Sequence, residues 1–158
     1  MADRVPMRPS GYATLEAELK RLKSVERHKI VKEIEIARAH GDISENAEFH
    51  AAKERQSHIE GRITQLEDRL ARAQVIDATG QSPDAVRFGA TVQLADAESG
   101  DEVTYTIVGE DEADVSKGLI SVGSPIARAL RGKPSDGLVT VQVPRGGRSF
   151  ESRSIRFE

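Results

Sequence analysis

Cysteine and tryptophan are absent from this 158-residue chain, and aromatics are few, with 2 Tyr and 4 Phe. Without cysteine there are no disulfides, no Cys-ligated zinc and no thiol chemistry, which agrees with a reducing compartment. No apolar run approaches the roughly 18 residues that span a bilayer. Met1–Ser10 lacks a hydrophobic segment ahead of a small-residue cleavage site, so a cytoplasmic location is expected and no membrane role. An excess of positive charge is missing too. Residues 1–77 carry 14 Lys+Arg and 14 Asp+Glu, and residues 78–158 carry 9 and 12, which accounts for the net charge of −3. A surface that bound nucleic acid mainly through phosphates would be basic, so no stable binding of free nucleic acid is expected. Any nucleic acid is reached through a protein partner.

Regular apolar spacing is present. Leu15, Leu19, Leu22, Ile30, Ile34 and Ala37 recur at steps of 4, 3, 8, 4 and 3, with Glu26 in the vacant stripe position, which predicts a helix from about Pro9 to Ala39. Phe49, Ala52, Gln56, Ile59, Ile63, Leu66, Leu70 and Ala73 alternate steps of 3 and 4. That narrow stripe is a coiled-coil seam. The linker Ala39–Ile43 is short, so the helices must turn back on each other as an antiparallel hairpin, with Gly41 suited to the left-handed position after the first helix. At about 1.5 Å per residue, a helix from Ser44 to Ala73 would be roughly 45 Å long.

Beyond Asp77 the pattern changes. A turn-rich linker, 78–84, precedes short β-like runs at Ala90–Ala95, Glu102–Val108, Leu119–Val122, Leu138–Val143 and Ser149–Phe157. Asp96–Asp101 would close a hairpin, and so would the turn through Pro144, Arg145, Gly146, Gly147 and Arg148. One short helix is predicted at Ser124–Gly132, with Ser124 as N-cap, Pro125 at the first helical position and Gly132 as the stop. The expected class is α+β: a coiled-coil hairpin over 1–77 with its tip near 41–48, then a globular antiparallel-sheet domain over 85–158.

The tip gathers Asp42, Glu45, Asn46 and Glu48, with Ser44 among them. Asp42 and Glu45 admit two readings. As hard oxygen donors they suit Mg²⁺, which takes one or two carboxylates and keeps several waters. As N-cap and third helical position they would form a capping box. Arg38, Lys53 and Arg55 lie near the tip and either meet phosphates or form part of a solvated face. His28, His40, His50 and His58 lack zinc spacing and are expected to face solvent. On the short helix, Ile126, Ala129 and Leu130 either dock a partner or pack on their own sheet.

Residues Gly41–Gln56, then Glu60–Ile63 and Ala73–Asp77, resemble the bacterial Gre transcript cleavage factors, the GreA type in particular. So do Phe88–Val92, Val108–Asp114 and Ser124–Leu130, in order along nearly the whole chain from Pro6 onward. The resemblance implies a C-terminal domain like that of FK506-binding proteins and a partner, bacterial RNA polymerase. It implies that the globular domain docks at the rim of the polymerase secondary channel, with Ser124, Pro125, Ile126, Ala127, Arg128 and Leu130 as candidate contacts. The coiled coil would enter the channel and bring Asp42 and Glu45 to a second, weakly held Mg²⁺ that the polymerase uses to cleave backtracked RNA near its 3′ end. Ser44 and Asn46 would orient water or phosphate. In this reading the protein is an accessory factor rather than an enzyme, and DNA is met only within the elongation complex.

The sequence departs from the family pattern in places. Phe49 stands where Tyr is frequent, and Ser152 where an apolar residue is usual, a change whose cost should fall on stability. The tip lacks a long basic patch, which favours the A type and short cleavage products. Few aromatics line the C-terminal half, so prolyl isomerase activity is not expected. Two rival readings are a channel-binding inhibitor of polymerase and a structural adaptor whose acids only cap a helix; a free-standing hydrolase lacks a pocket around its carboxylates.

Overall fold

A computed structural model describes residues 4–42, 45–135, 137–143 and 146–157. The chain divides into two compact units, one over Tyr12–Ala73 and one over Gln74–Glu158 together with Asp3–Gly11. The division thus falls four residues earlier than the 77/78 boundary expected from composition, and the N-terminal segment joins the second unit. A pair of short strands accounts for this: β1 (Val5–Met7) pairs with β2 (Ala73–Val75), and Ile76 N–H donates to the Met7 carbonyl at 2.9 Å. Three-residue strands leave no alternating pattern to read, and neither was expected.

In the first unit the outgoing arm is α1 (Pro9–Arg21), a π-helical turn over Leu22–Glu26, and α2 (Arg27–Arg38). The returning arm is α3 (Ala47–Arg72), whose 26 residues span about 39 Å. The π turn has a cause in the stripe. Leu22, Glu26, Ile30 and Ile34 are separated by three successive steps of four, more than a regular helix keeps on one face. A wider turn absorbs the excess and returns Ile30, Ile34 and Ala37 to the seam, where all three are buried. Facing them are Phe49 and Ala52, and Ile59 packs alongside. Burial of each large side chain there contributes about 1.5–3 kcal/mol.

Ion pairs across the arms reinforce the antiparallel register: Glu33 with Arg55 at 2.7 Å, Arg27 with Glu60 at 2.7 Å and Lys23 with Glu67 at 3.7 Å. Arg27 binds Glu60 through two donors, as Arg62 does Glu18. These guanidinium hydrogen bonds hold the Glu60 and Glu18 carboxyls below the ordinary value of 4.5. A depressed carboxyl stabilises the fold above its unfolded value, and the contribution is lost as pH falls through the lower folded value. The hairpin should therefore melt at a lower temperature at pH 3 than at pH 7. An Arg27→Gln/Arg62→Gln variant followed by circular dichroism should show a smaller difference between the two pH values.

The second unit is built on a sheet of order β5-β4-β3-β7-β6. Its strands are β3 (Thr91–Asp96), β4 (Glu102–Val108), β5 (Leu119–Ser121), β6 (Gly137–Val143) and β7 (Gly146–Arg156). The sheet is mixed rather than wholly antiparallel, because β5 runs parallel to β4. Two 3₁₀ turns, Glu110–Glu112 and Val115–Lys117, carry the chain back between those strands, a return that a simple hairpin does not make. The helix α4 (Pro125–Leu130) contacts both edge strands, β5 and β6, so the sheet curls around it. Val92, Leu94, Ile107, Leu130, Val141 and Phe150 form the centre of the core.

Ser152 on β7 lies between Gly137 of β6 and Leu94 of β3, beside a register shift that leaves Arg153 without a partner on β3. It is only 3% exposed, and its hydroxyl makes no hydrogen bond among the described residues. A buried, unmatched hydroxyl costs about 1–3 kcal/mol. Ser152→Ala should raise stability by about 1 kcal/mol in urea unfolding.

Candidate functional site

The site is the end of the hairpin, where α2 stops and α3 begins. Helix α2 closes with Ala39 N–H donating to the Glu35 carbonyl and His40 N–H to that of Ala37, both at 3.2 Å. Gly41 follows with φ of 127°, a backbone region that side chains disfavour, and nothing else crowds the position. The chain then turns, with Glu45 N–H donating to the Asp42 carbonyl at 3.3 Å. Asp42, Glu45 and Glu48 are exposed to solvent. Ser44 lies outside the described residues.

Asn46, not Asp42, caps α3. Its Oδ1 accepts from Phe49 N–H at 2.9 Å, and its Nδ2 donates to the Ala37 carbonyl at 2.5 Å. The capping box expected of Asp42 and Glu45 is therefore not the cap of this helix. A cap must have extended backbone immediately before the first helical residue, and Asn46, with φ −89° and ψ 93°, holds that place. The sequence contained the signal, since Asn ranks with Asp as a cap. Its second bond ties the two arms together through one half-buried side chain, a role that sequence reasoning missed.

Phe49 is 9% exposed and closes the apolar seam just inside the tip. Its ring centroid lies 5.9 Å from the Arg38 guanidinium and meets His50 edge-on at 5.5 Å. Of the other basic candidates, Arg55 is paired with Glu33, while exposed Lys53 donates to Gln56 at 3.0 Å. His28, His40, His50 and His58 are all exposed, and among the described residues no three His, Asp or Glu side chains converge as metal ligands. A shallow groove of about 360 Å³ lies on the hairpin flank by Ile36, Ala51 and Glu48; neither Asp42 nor Glu45 lines it.

The candidates on α4 divide by burial. Ser124 accepts from Ala127 N–H at 3.2 Å as the N-cap. Ala127 and Leu130 belong to the core at 2% and 0% exposure, and Ile126 packs against it, so these three hold the helix on its own sheet. Pro125 and Arg128 remain exposed.

Two family models match the chain: the N-terminal domain of the GreA/GreB transcription elongation factors over residues 5–75 and their C-terminal domain over 81–156. The chain is 62% identical over 154 residues to the transcription elongation factor GreA of Anaeromyxobacter sp. (strain K), covering 98% of this chain and 93% of that one. It is 60% identical to that of Hyphomonas neptunium, over 94% and 95% of the two chains. Among solved structures it is similar to GreA factor homolog 1 of Thermus thermophilus, at 28% identity, with 97% and 99% of the chains covered and a TM-score of 0.44.

Proposed function

The chain belongs to the GreA/GreB family of transcription elongation factors, and on that footing we propose that Asp42 and Glu45 are the working groups of a transcript cleavage factor. It acts as an accessory of bacterial RNA polymerase in the cytoplasm. The hairpin enters the secondary channel, its tip reaches the polymerase active centre, and cleavage of backtracked RNA releases arrested complexes. The hydrolysis is the polymerase's own, and this chain adds ligands to it.

The observation that carries this reading is the division of labour at the tip. Asn46 caps α3 and ties the arms, while Asp42 and Glu45 are both exposed on the connecting turn. The donor set fits Mg²⁺, since two carboxylates are hard oxygen ligands and the remaining positions suit water, RNA phosphate and polymerase carboxylates. When bound, the ion would offset the charge on the attacking and leaving oxygens of the phosphodiester. Asp42 and Glu45 hold and orient; Asn46 keeps the turn in place. No helix among the described residues is long and apolar enough to cross a membrane.

The test is addition of the protein to stalled, backtracked elongation complexes with Mg²⁺. Binding to polymerase with accelerated RNA cleavage supports the reading. Binding with inhibition of synthesis would instead make it a channel-blocking relative, and binding without effect a structural adaptor.

A further inference from the structure

We propose that Asn46 and Gly41 are positioning residues for transcript cleavage, holding the tip as a closed loop in which Asp42 and Glu45 keep a set separation. The proposal rests on the reading above of those carboxylates as metal ligands. Asn46 Nδ2 donates at 2.5 Å to the Ala37 carbonyl, nine positions back along the chain. That single bond closes the segment Ala37–Asn46, and both acids lie inside it. The loop is anchored at each end. Ala37 is 3% exposed in the seam, and Asn46 Oδ1 accepts from the N–H of buried Phe49 at 2.9 Å. Inside the loop, the bond from Glu45 N–H to the Asp42 carbonyl is long at 3.3 Å, a weaker restraint.

The residue type argues for closure rather than capping alone. Serine, aspartate and asparagine cap a helix about equally well, each through an oxygen that accepts from an N–H of the first turn. Only the amide adds a separate donor atom on its other branch, and that donor is what reaches Ala37. The Ala37 carbonyl also accepts from His40 N–H at 3.2 Å, so the end of α2 and the start of α3 meet on one oxygen. With its oxygen used on α3 and its nitrogen on α2, Asn46 is committed to the protein. The role of orienting water or phosphate, which the resemblance implied for it, gives way to one exerted through Asp42 and Glu45.

Gly41 serves the same loop immediately before Asp42. Its φ of 127° strains any residue with a Cβ, yet a Cβ there would meet nothing within 4 Å among the described residues. Glycine is therefore required by the direction of the backbone and not by space. Direction matters because Mg²⁺ demands near-octahedral ligands, so two carboxylates act together only when their oxygens are held where the ion accepts them. A misplacement of about 1 Å in such a group can cost about 100-fold in rate. A restraint on this loop thus bears on the cleavage step rather than on docking.

The experiment measures cleavage of backtracked RNA in stalled elongation complexes against concentration of the full chain at fixed Mg²⁺, alongside urea unfolding of each variant. Asn46→Ser keeps a cap oxygen but has no donor long enough to reach Ala37, Asn46→Ala loses both bonds, and Gly41→Ala removes neither group. Unfolding midpoints should fall in the order wild type, Asn46→Ser, Asn46→Ala. Cleavage should not follow that order. All three variants should lower the maximal rate by about tenfold, with the half-saturating protein concentration within about twofold of wild type. Asn46→Ser at the wild-type maximal rate would overturn the proposal and leave Asn46 a cap. A loss of rate that excess protein restores would overturn it too, since that is weakened docking. A wild-type maximal rate in Gly41→Ala would overturn the role given to Gly41. Wild type that binds polymerase without raising cleavage would instead overturn the functional reading itself.

Discussion

Asp42→Ala and Glu45→Ala should each lower factor-stimulated cleavage of backtracked RNA by about 100-fold, equivalent to about 2.7 kcal/mol of barrier. Polymerase binding should stay within about twofold. The expectation follows from position: both carboxylates are exposed on the turn between α2 and α3. It also separates chemistry from stability, since neither residue caps α3 and an exposed substitution of this kind shifts stability by about 0.5 kcal/mol or less. Asn46→Ala is the contrasting variant. It removes the cap and the bond to the Ala37 carbonyl, and should cost about 1 kcal/mol of stability. A large loss of stability in Asp42→Ala or Glu45→Ala, visible in thermal melts, would return the acids to a structural role.

Arg8→Ala should destabilise the second unit by about 3 kcal/mol. Glu112, with a side chain only 5% exposed, accepts from Arg8 Nε at 2.8 Å, from Arg8 N–H at 3.1 Å and from Gly109 N–H at 3.0 Å. Truncating Arg8 leaves that carboxylate buried without a counter-charge, the costly half of a broken buried pair. Glu112→Ala should cost less, about 2 kcal/mol, because Arg8 at 29% exposure regains water. The carboxylate also fills the space over Gly11, where an added Cβ would collide with it. In urea unfolding, a change below about 1 kcal/mol for Arg8→Ala would mean that the pair does not hold the N-terminal segment to the unit.

What the sequence made legible was whatever depends on neighbours along the chain. The α3 stripe, the run Glu102–Val108 and the start of α4 at Ser124 and Pro125 are local patterns, and each appears where the pattern lies. The three steps of four after Leu22 were visible as well, but spacing alone does not say whether a helix bends, unwinds or forms a π turn. Long-range choices left no such trace. Arg8 finds Glu112 across 104 positions, β1 and β2 are too short to alternate, and the parallel pairing of β5 depends on the path of two 3₁₀ turns. The capping reading of the tip, one of the two left open, fell on Asp42 because Asp42 and Asn46 are equally good caps in isolation. The helix start decides between them, and the extended backbone just before Ala47 is that of Asn46. The face of α4 was open to two readings for a similar reason, as an apolar face on a short helix does not declare what covers it; Ala127 and Leu130 lie in the core of their own domain.

The central claim, that Asp42 and Glu45 supply ligands to an Mg²⁺ in the polymerase active centre, is tested most directly by the metal dependence of cleavage. Cleavage rate is measured against Mg²⁺ concentration on backtracked complexes, with polymerase alone and with saturating wild type, Asp42→Asn or Glu45→Gln. Wild type should lower the half-saturating Mg²⁺ by about tenfold, as a gain of about 1.4 kcal/mol in ion affinity requires. The isosteric variants should bind polymerase yet leave the Mg²⁺ requirement near that of polymerase alone. Variants that stimulate cleavage with the wild-type Mg²⁺ dependence would contradict the account.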